Sequence, residues 1–360
     1  MSRFDRRIAR WLLQRTPVVR HILPRRGAER TRVDHIIILD GTNSTLVPGD
    51  ETNAGILYKL LRETAPIATL NLHYEDGVPW DSWRSTVAVI TGRGINGRIK
   101  RAYGAIASRY QPGDRIYLFG FSRGAYAVRS LAGIIGMVGL LKPAQATERN
   151  IRQVFRLYEQ TDAGEAAEAF AAENCIRDVP VEMVGVWDTV KSLGFRAPIF
   201  WRWAEGKYKF HDHELGDHVR NGYHALALHE TRVAYSPVLW ETPADYAGNI
   251  EQVWFRGAHG DVGGQLGGYN AARPLSNIPL VWLLKKAERC GVRLPDGWEK
   301  RFEVDALAPH VGTWRSYSIL FWSRRRRDVG RDKSEAMHPS TVAASEARRI
   351  PIPKLPLALP

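Results

Sequence analysis

The sequence predicts an α/β fold with a mainly parallel central sheet, helices on both faces and a helical, aromatic cap-like insertion. Three observations carry this. Apolar runs such as His35–Leu39 and Arg115–Phe121 are short and nearly continuous, which is how strands buried on both faces of a parallel sheet read. Segments with helical apolar spacing separate those runs. The runs end in polar, glycine-bearing turns, Asp40-Gly41-Thr42-Asn43 and Gly120-Phe121-Ser122-Arg123-Gly124 among them. In such folds, turns at the carboxyl ends of strands form the ligand-binding edge.

The bulk properties bound the function. With 360 residues the chain can bury a large core, as one α/β domain or two smaller ones. Its net charge of +13 favours anionic partners. Membrane surface, phosphorylated substrate and nucleic acid are the candidates; zinc-finger spacing and RNP motifs are missing, so nucleic acid is disfavoured, and the charge alone points only weakly among the rest. Cys175 and Cys290 are the two cysteines and lie in no C-x-x-C pair, in keeping with a reducing compartment or indifference to redox, with a single disulfide between them left open. No apolar run reaches the roughly 18 residues of a membrane span, and residues 1–32 lack the apolar centre of a secretory signal. The expected location is therefore cytoplasmic, with peripheral membrane contact as an option.

In chain order, Phe4, Ile8, Trp11 and Leu12 form a short apolar stripe among arginines. Two readings are open: a helix on an anionic membrane, or a helix docked on the domain. His35–Leu39 is a strand, Asn53–Leu61 a helix and Ala68–Tyr74 a strand. Glycine-rich residues 92–97 lack the Gly-Lys-Ser/Thr ending of a phosphate loop. Ile95, Ile99, Tyr103, Ile106 and Tyr110 then follow helical spacing. Arg115–Phe121 is the central strand, and the helix after Ser122 carries Gly133, Gly136 and Gly139, spaced for close packing on the sheet. Residues 143–178 read as helical, either a cap or a peripheral pair. Val181–Trp187 is a strand. Residues 196–222 are aromatic and basic, facing lipid or substrate, or packing a lid. Leu215–Leu228 reads as a helix, so 196–228 is a second cap candidate. Ile250–Phe255 is a strand and Ser276–Cys290 a helix. The catalytic domain is set at 33–320, followed over 321–360 by a basic, proline-rich tail with the run Arg324–Arg327, wrapped on the surface or mobile.

Three strand ends offer Ser122, Asp188 and His259 in that order, the chain order of α/β-hydrolase triads. The chemistry calls for all three. A serine hydroxyl needs a base to remove its proton. Histidine does this near neutrality, and a carboxylate on its other nitrogen fixes the tautomer. Gly120 and Gly124 leave room for a tight serine turn. Backbone N–H groups of Arg123 and of Thr42 or Asn43 are the candidate oxyanion donors, with Asp40 as a turn-forming support. Asp261 competes with Asp188 as the acid, but Asp188 directly follows a buried strand, and Asp261 is assigned to tying the histidine loop. A metal set of Asp40, His259 and Asp261 is a minority alternative without a supporting H-E-x-x-H. No cofactor is called for.

The residues Asp40-Gly41-Thr42, Tyr74-x-x-Gly77-Val78, Ala102-Tyr103, Pro112 through Tyr126 with Arg129, Val186–Val190, and Val253-Trp254-Phe255-x-Gly257-x-His259-x-Asp261-Val262-Gly263-Gly264 form a recognisable set. With His338-Pro339-Ser340, the chain resembles over about 33–345 the bacterial α/β-hydrolase-like domain, long catalogued as uncharacterised, that also forms the catalytic part of type VI secretion phospholipase effectors. The resemblance implies a serine esterase or lipase whose triad corresponds to Ser122, Asp188 and His259. Two departures sit beside the site: Asn43 follows Thr42 directly, and Gln265 stands where a third glycine is common. The effectors' extra membrane-binding region is not expected within this shorter chain, so ester hydrolysis is expected to transfer better than phospholipase activity or secretion. The rival readings are a non-catalytic interaction protein on the same fold, and a binder of anionic surfaces or nucleic acid.

Overall fold

The computed structural model describes residues 19–22, 31–64, 69–77, 93–160, 164–190, 215–314 and 323–358. The stripe Phe4–Leu12 and the aromatic stretch 196–214 lie outside the described residues. Ten strands are present among those described: β1 (Val19–Ile22), β2 (Asp34–Leu39), β3 (Leu70–Glu75), β4 (Arg115–Phe121), β5 (Leu140–Leu141), β6 (Cys175–Ile176), β7 (Met183–Trp187), β8 (Asn221–Ala227), β9 (Asn249–Phe255) and β10 (Glu335–Met337). The helices are α1 (Asn53–Thr64), α2 (Arg93–Ala107), α3 (Arg123–Val138), α4 (Glu148–Glu159), α5 (Gly164–Asn174), α6 (His259–Gly263), α7 (Arg273–Arg289) and α8 (Pro339–Arg348).

Eight strands form one sheet in the order β1-β3-β2-β4-β7-β8-β9-β10. Every neighbouring pair is parallel except β1 with β3. From β2 the chain moves outward to β3, then returns across β2 to β4. That reversal leaves a crevice between the carboxyl ends of β2 and β4, the favoured ligand position in open α/β sheets.

The apolar runs are continuous because both sheet faces are covered. In β2, Ile37 and Leu39 pack with α2, α3, α4 and α5, while Ile36 and Ile38 pack with α1 and α7. In β4, Leu118 joins the first cluster, and Tyr117, Phe119 and Phe121 join the second. All of these are essentially solvent-free. Each such aliphatic side chain stabilises the fold by roughly 1.5–3 kcal/mol relative to exposure, so the strand ends that carry the site are anchored in the packed core.

Three expectations are corrected. Residues 215–228 are not a helix: Asn221–Ala227 is β8, paired in parallel with β7 and β9. His224, Ala225, Leu226 and Ala227 are buried on both faces, and a short apolar run of this length fits either period. Within the segment 321–360, part of the described chain from Ser323 onward joins the sheet rather than only wrapping the surface. β10 adds to β9, and Met337 packs with Leu226 and Trp254. Gly133 and Gly136 do not face the sheet. A Cβ on Gly133 would stand 2.8 Å from the Tyr158 hydroxyl, and one on Gly136 would stand 2.4 Å from the His218 ring.

Residues 143–160 and 164–178 build an outer layer against α2 and α3, with Val154, Phe155, Leu157 and Tyr158 inward, rather than a cap over the strand ends. Of the glycine-rich stretch, residues 93–97 form the first turns of α2. Cys175 and Cys290 are both free. Among the described residues, no helix is long and apolar enough to cross a membrane.

Candidate functional site

Ser122 sits where β4 turns into α3. Its backbone is at φ 58° and ψ −119°, a conformation L-residues rarely adopt. Its N–H donates to the Trp187 carbonyl at 3.0 Å, which pins the turn to the end of β7. The flanking glycines are required by close approach. A Cβ on Gly124 would fall 1.9 Å from the Leu39 carbonyl oxygen, and one on Gly120 2.6 Å from the carbonyl carbon of Gly124. Strand, elbow and helix can cross so closely only without side chains at those two positions.

Asp188 follows β7, also at positive φ (41°), with its N–H on the Ala225 carbonyl at 2.8 Å. His259 opens α6, four residues beyond the end of β9. The three side chains meet. His259 Nδ1 lies 2.6 Å from Asp188 Oδ2, and His259 Nε2 lies 2.8 Å from Ser122 Oγ. A carboxylate can only accept, so Nδ1 carries the proton and Nε2 is left to accept from the serine hydroxyl. The ring is fixed by stacking on Phe121 (centroids 4.8 Å apart) and by the edge of Tyr235 (4.9 Å). The His259 N–H donates to Glu230 Oε2 at 3.2 Å.

Burial governs the protonation of this group. Taking His259 out of water pushes its pKa below the ordinary histidine value, against the hydrogen bond to Asp188, which pushes it up. Burial alone would raise Asp188. The charge and hydrogen bonds of Arg327, together with His259, outweigh that and hold the carboxyl far below the usual range. The resting pair is therefore a carboxylate beside a neutral imidazole.

The turn after β2 lies alongside. The Asp40 carboxylate is fully buried and accepts from Gly41 N–H (2.6 Å), the Thr52 hydroxyl (2.6 Å) and the Tyr74 hydroxyl (2.8 Å). Burial pushes its pKa up to about 6 in spite of those donors. The Gly41 carbonyl accepts from Ser44 N–H at 3.2 Å, which makes Thr42 and Asn43 the central residues of a β-turn. Asn43 takes the positive φ (56°) that the second central position of a type II turn demands. Gly77 fits because a Cβ there would stand 1.7 Å from the Gly41 oxygen. Gln265 Nε2 donates to the Thr42 carbonyl at 2.7 Å, so the residue in the place of a third glycine ties this turn to the histidine loop.

Asp261 does not reach into the triad. Its carboxylate accepts the N–H of Ala258 (2.8 Å) and of Val311 (2.6 Å), closing the loop around His259. Asp40, His259 and Asp261 thus spend their polar atoms on separate partners. Among the described residues, no group of three or more His, Cys, Asp or Glu is placed to hold a metal ion.

Residues 34–286 match the family model "T6SS, Phospholipase effector Tle1-like, catalytic domain", well over half of the chain. The chain belongs to this family. The matched span runs from β2 to α7 and holds Ser122, Asp188 and His259. The uncharacterized protein YEL023C of Saccharomyces cerevisiae is 27% identical over 240 residues, covering 59% of this chain and 33% of that protein. This chain therefore spans about a third of the length of the curated relative it matches. Among solved structures, a Tle1 effector bound to the VgrG spike of the type 6 secretion system is 18% identical, with a TM-score of 0.36 over 65% of this chain and 51% of the other. An uncharacterized protein from Pseudomonas aeruginosa gives 17% and 0.41, over 77% of this chain and 50% of the other. Esterase 2 of Thermogutta terrifontis gives 12% and 0.40, over 77% and 91%.

Several residues of this Tle1-like site are not signalled by motif. Arg327 Nη1 donates to Asp188 Oδ1 (2.5 Å) and to the Ala227 carbonyl (2.8 Å); its Nη2 donates to Asp188 Oδ2 (2.9 Å) and to the Tyr235 carbonyl (2.7 Å). Glu230 is paired with Arg232 at 2.7–2.8 Å, and the Arg232 guanidinium lies 3.8 Å from the Tyr235 ring centroid. The one sequence signal for Arg327 was the basic run 324–327, and it marked a charge without indicating which arginine turns inward.

Proposed function

We propose that this domain is a serine hydrolase that cleaves a carboxylic ester, most fittingly a lipid or phospholipid ester, through an acyl-enzyme. The observation that carries the reading is the unbroken relay Ser122 Oγ, His259 Nε2, His259 Nδ1, Asp188 Oδ2 at 2.8 and 2.6 Å, mounted at the sheet's switch point. Ser122 attacks the ester carbonyl while His259 takes its proton. Backbone N–H groups of Arg123, at the start of α3, and of the Thr42–Asn43 turn receive the negative charge that develops on the carbonyl oxygen. Collapse expels the alcohol, which takes the proton from His259 Nε2. Water, deprotonated by the same nitrogen, then releases the acid and restores Ser122. The proton balance closes: the Ser122 proton leaves on the alcohol, and one proton of the attacking water returns through His259 to Ser122.

The lipid preference rests on two supports: the phospholipase-type family and a net charge of +13, which draws the domain to anionic lipid surfaces. The test is turnover of mixed micelles of a short-chain phospholipid ester by the wild type, Ser122→Ala and His259→Ala. Each variant is expected to lose at least about a thousandfold in turnover while remaining folded. Equal rates in wild type and Ser122→Ala would remove the assignment.

A further inference from the structure

We propose that Arg327 is a positioning residue for the Asp188–His259 pair, so that the C-terminal segment completes the site. This inference rests on the triad reading above.

Arg327 lies outside the span that matches the family model and 139 residues from Asp188. Its neighbours behave as surface arginines. Arg325 pairs with Asp328 in solvent, and Arg324 lies over Trp314 at 4.1 Å. Arg327 alone of this run carries a 4% exposed side chain against a fully buried carboxylate. Both terminal nitrogens are used twice, once on an Asp188 oxygen and once on a backbone carbonyl. This fork-on-fork geometry fixes the carboxylate in plane as well as supplying charge. The segment is held in place from outside the site: Val233 N–H donates to the Ser323 carbonyl at 3.0 Å, and Arg325 N–H to the Thr231 carbonyl at 2.7 Å.

The charges facing the pair come from several elements. Glu230 and Arg232 follow β8 and neutralise one another, and the Tyr235 ring packs on His259. His224 of β8 accepts the Thr189 N–H at 3.0 Å, and Arg129 of α3 lies behind it, bonded to the carbonyls of Val238 and Leu239. With Arg327 in place, two carboxylates near His259 are matched by two guanidiniums. Without it, one buried carboxylate faces the imidazole unmatched. Proton uptake by the Asp188–His259 pair then moves to higher pH, whichever of the two groups holds the proton.

The experiment compares the wild type, Arg327→Met and Arg327→Lys as full-length chains, reading the rate of Ser122 phosphonylation by a fluorophosphonate against pH. Arg327→Met is expected to move the acid limb up by about one unit and to lower the plateau rate by roughly tenfold or more. Arg327→Lys restores charge without the fork, so its limb returns toward wild type while the plateau recovers only in part. A folded Arg327→Met whose limb lies within about 0.2 unit of wild type, or a lysine variant shifted as far as the methionine one, overturns the proposal. A wild type that shows no labelling at all counts against the triad reading instead. In that event ¹⁵N NMR titration of the His259 ring in the same three proteins decides the role of Arg327: an upward shift in Arg327→Met supports it, and an unmoved titration rejects it.

Discussion

Replacing Ser122 by glycine rather than alanine isolates the strain stored in the elbow. At φ 58° and ψ −119°, a residue with a Cβ is held outside the ordinary wells at a cost of roughly 1–3 kcal/mol. Alanine keeps that cost and glycine escapes it. Both variants lose the same hydroxyl and the same 2.8 Å bond to His259, so those losses cancel in the comparison. The opposing effect is the greater freedom of glycine in the unfolded chain, worth about 0.4–1 kcal/mol at an ordinary site. The difference leaves Ser122→Gly more stable than Ser122→Ala by roughly 1.3 kcal/mol, with about 2.5 kcal/mol as the upper end, the reverse of the usual order. Urea unfolding of the two variants, with equal slopes, reads this directly as a shift in midpoint. An alanine variant equal to or more stable than the glycine one would refute the claim that the elbow is strained.

Three further outcomes are expected. Gly124→Ala places a Cβ 1.9 Å from the Leu39 carbonyl oxygen, so β2 and α3 must separate by more than about 1 Å; thermal unfolding should show a loss of about 3 kcal/mol, and turnover a fall of about a hundredfold. Because burial depresses His259, and the neutral ring is the base in the proposed mechanism, the acid limb of kcat/KM should lie below 6.5, with activity lost as pH falls through the depressed value. Asp40 binds its proton more tightly in the folded state, with its pKa raised from 3.8 to about 6, so wild-type stability relative to Asp40→Asn should fall as pH rises through that window, as urea midpoints at either end of it will show.

Much of the site was legible because its chemistry is local in sequence. The elbow Gly120–Gly124 carries its own steric logic, and Asp188 and His259 follow buried strands that announce themselves by continuous apolar runs. Tyr74 and Gly77 appeared only as motif positions; their reasons, a hydroxyl on Asp40 and clearance for the Gly41 oxygen, are contacts between separate strands. The run Asn221–Ala227 was misread because its six residues from Gly222 to Ala227, buried on both faces, carry no period to distinguish strand from helix. Arg327 was illegible for a different reason. Its role depends on β10 joining β9 and drawing the preceding segment across the strand ends, and nothing local in a run of four arginines encodes that.

The central claim is an activated serine, and fluorophosphonate labelling followed by intact mass and peptide mapping tests it most directly. The account predicts a single adduct on wild type, on the peptide carrying Ser122, and none on Ser122→Ala. A folded wild type that takes up no adduct, or a Ser122→Ala variant that still does, would contradict it.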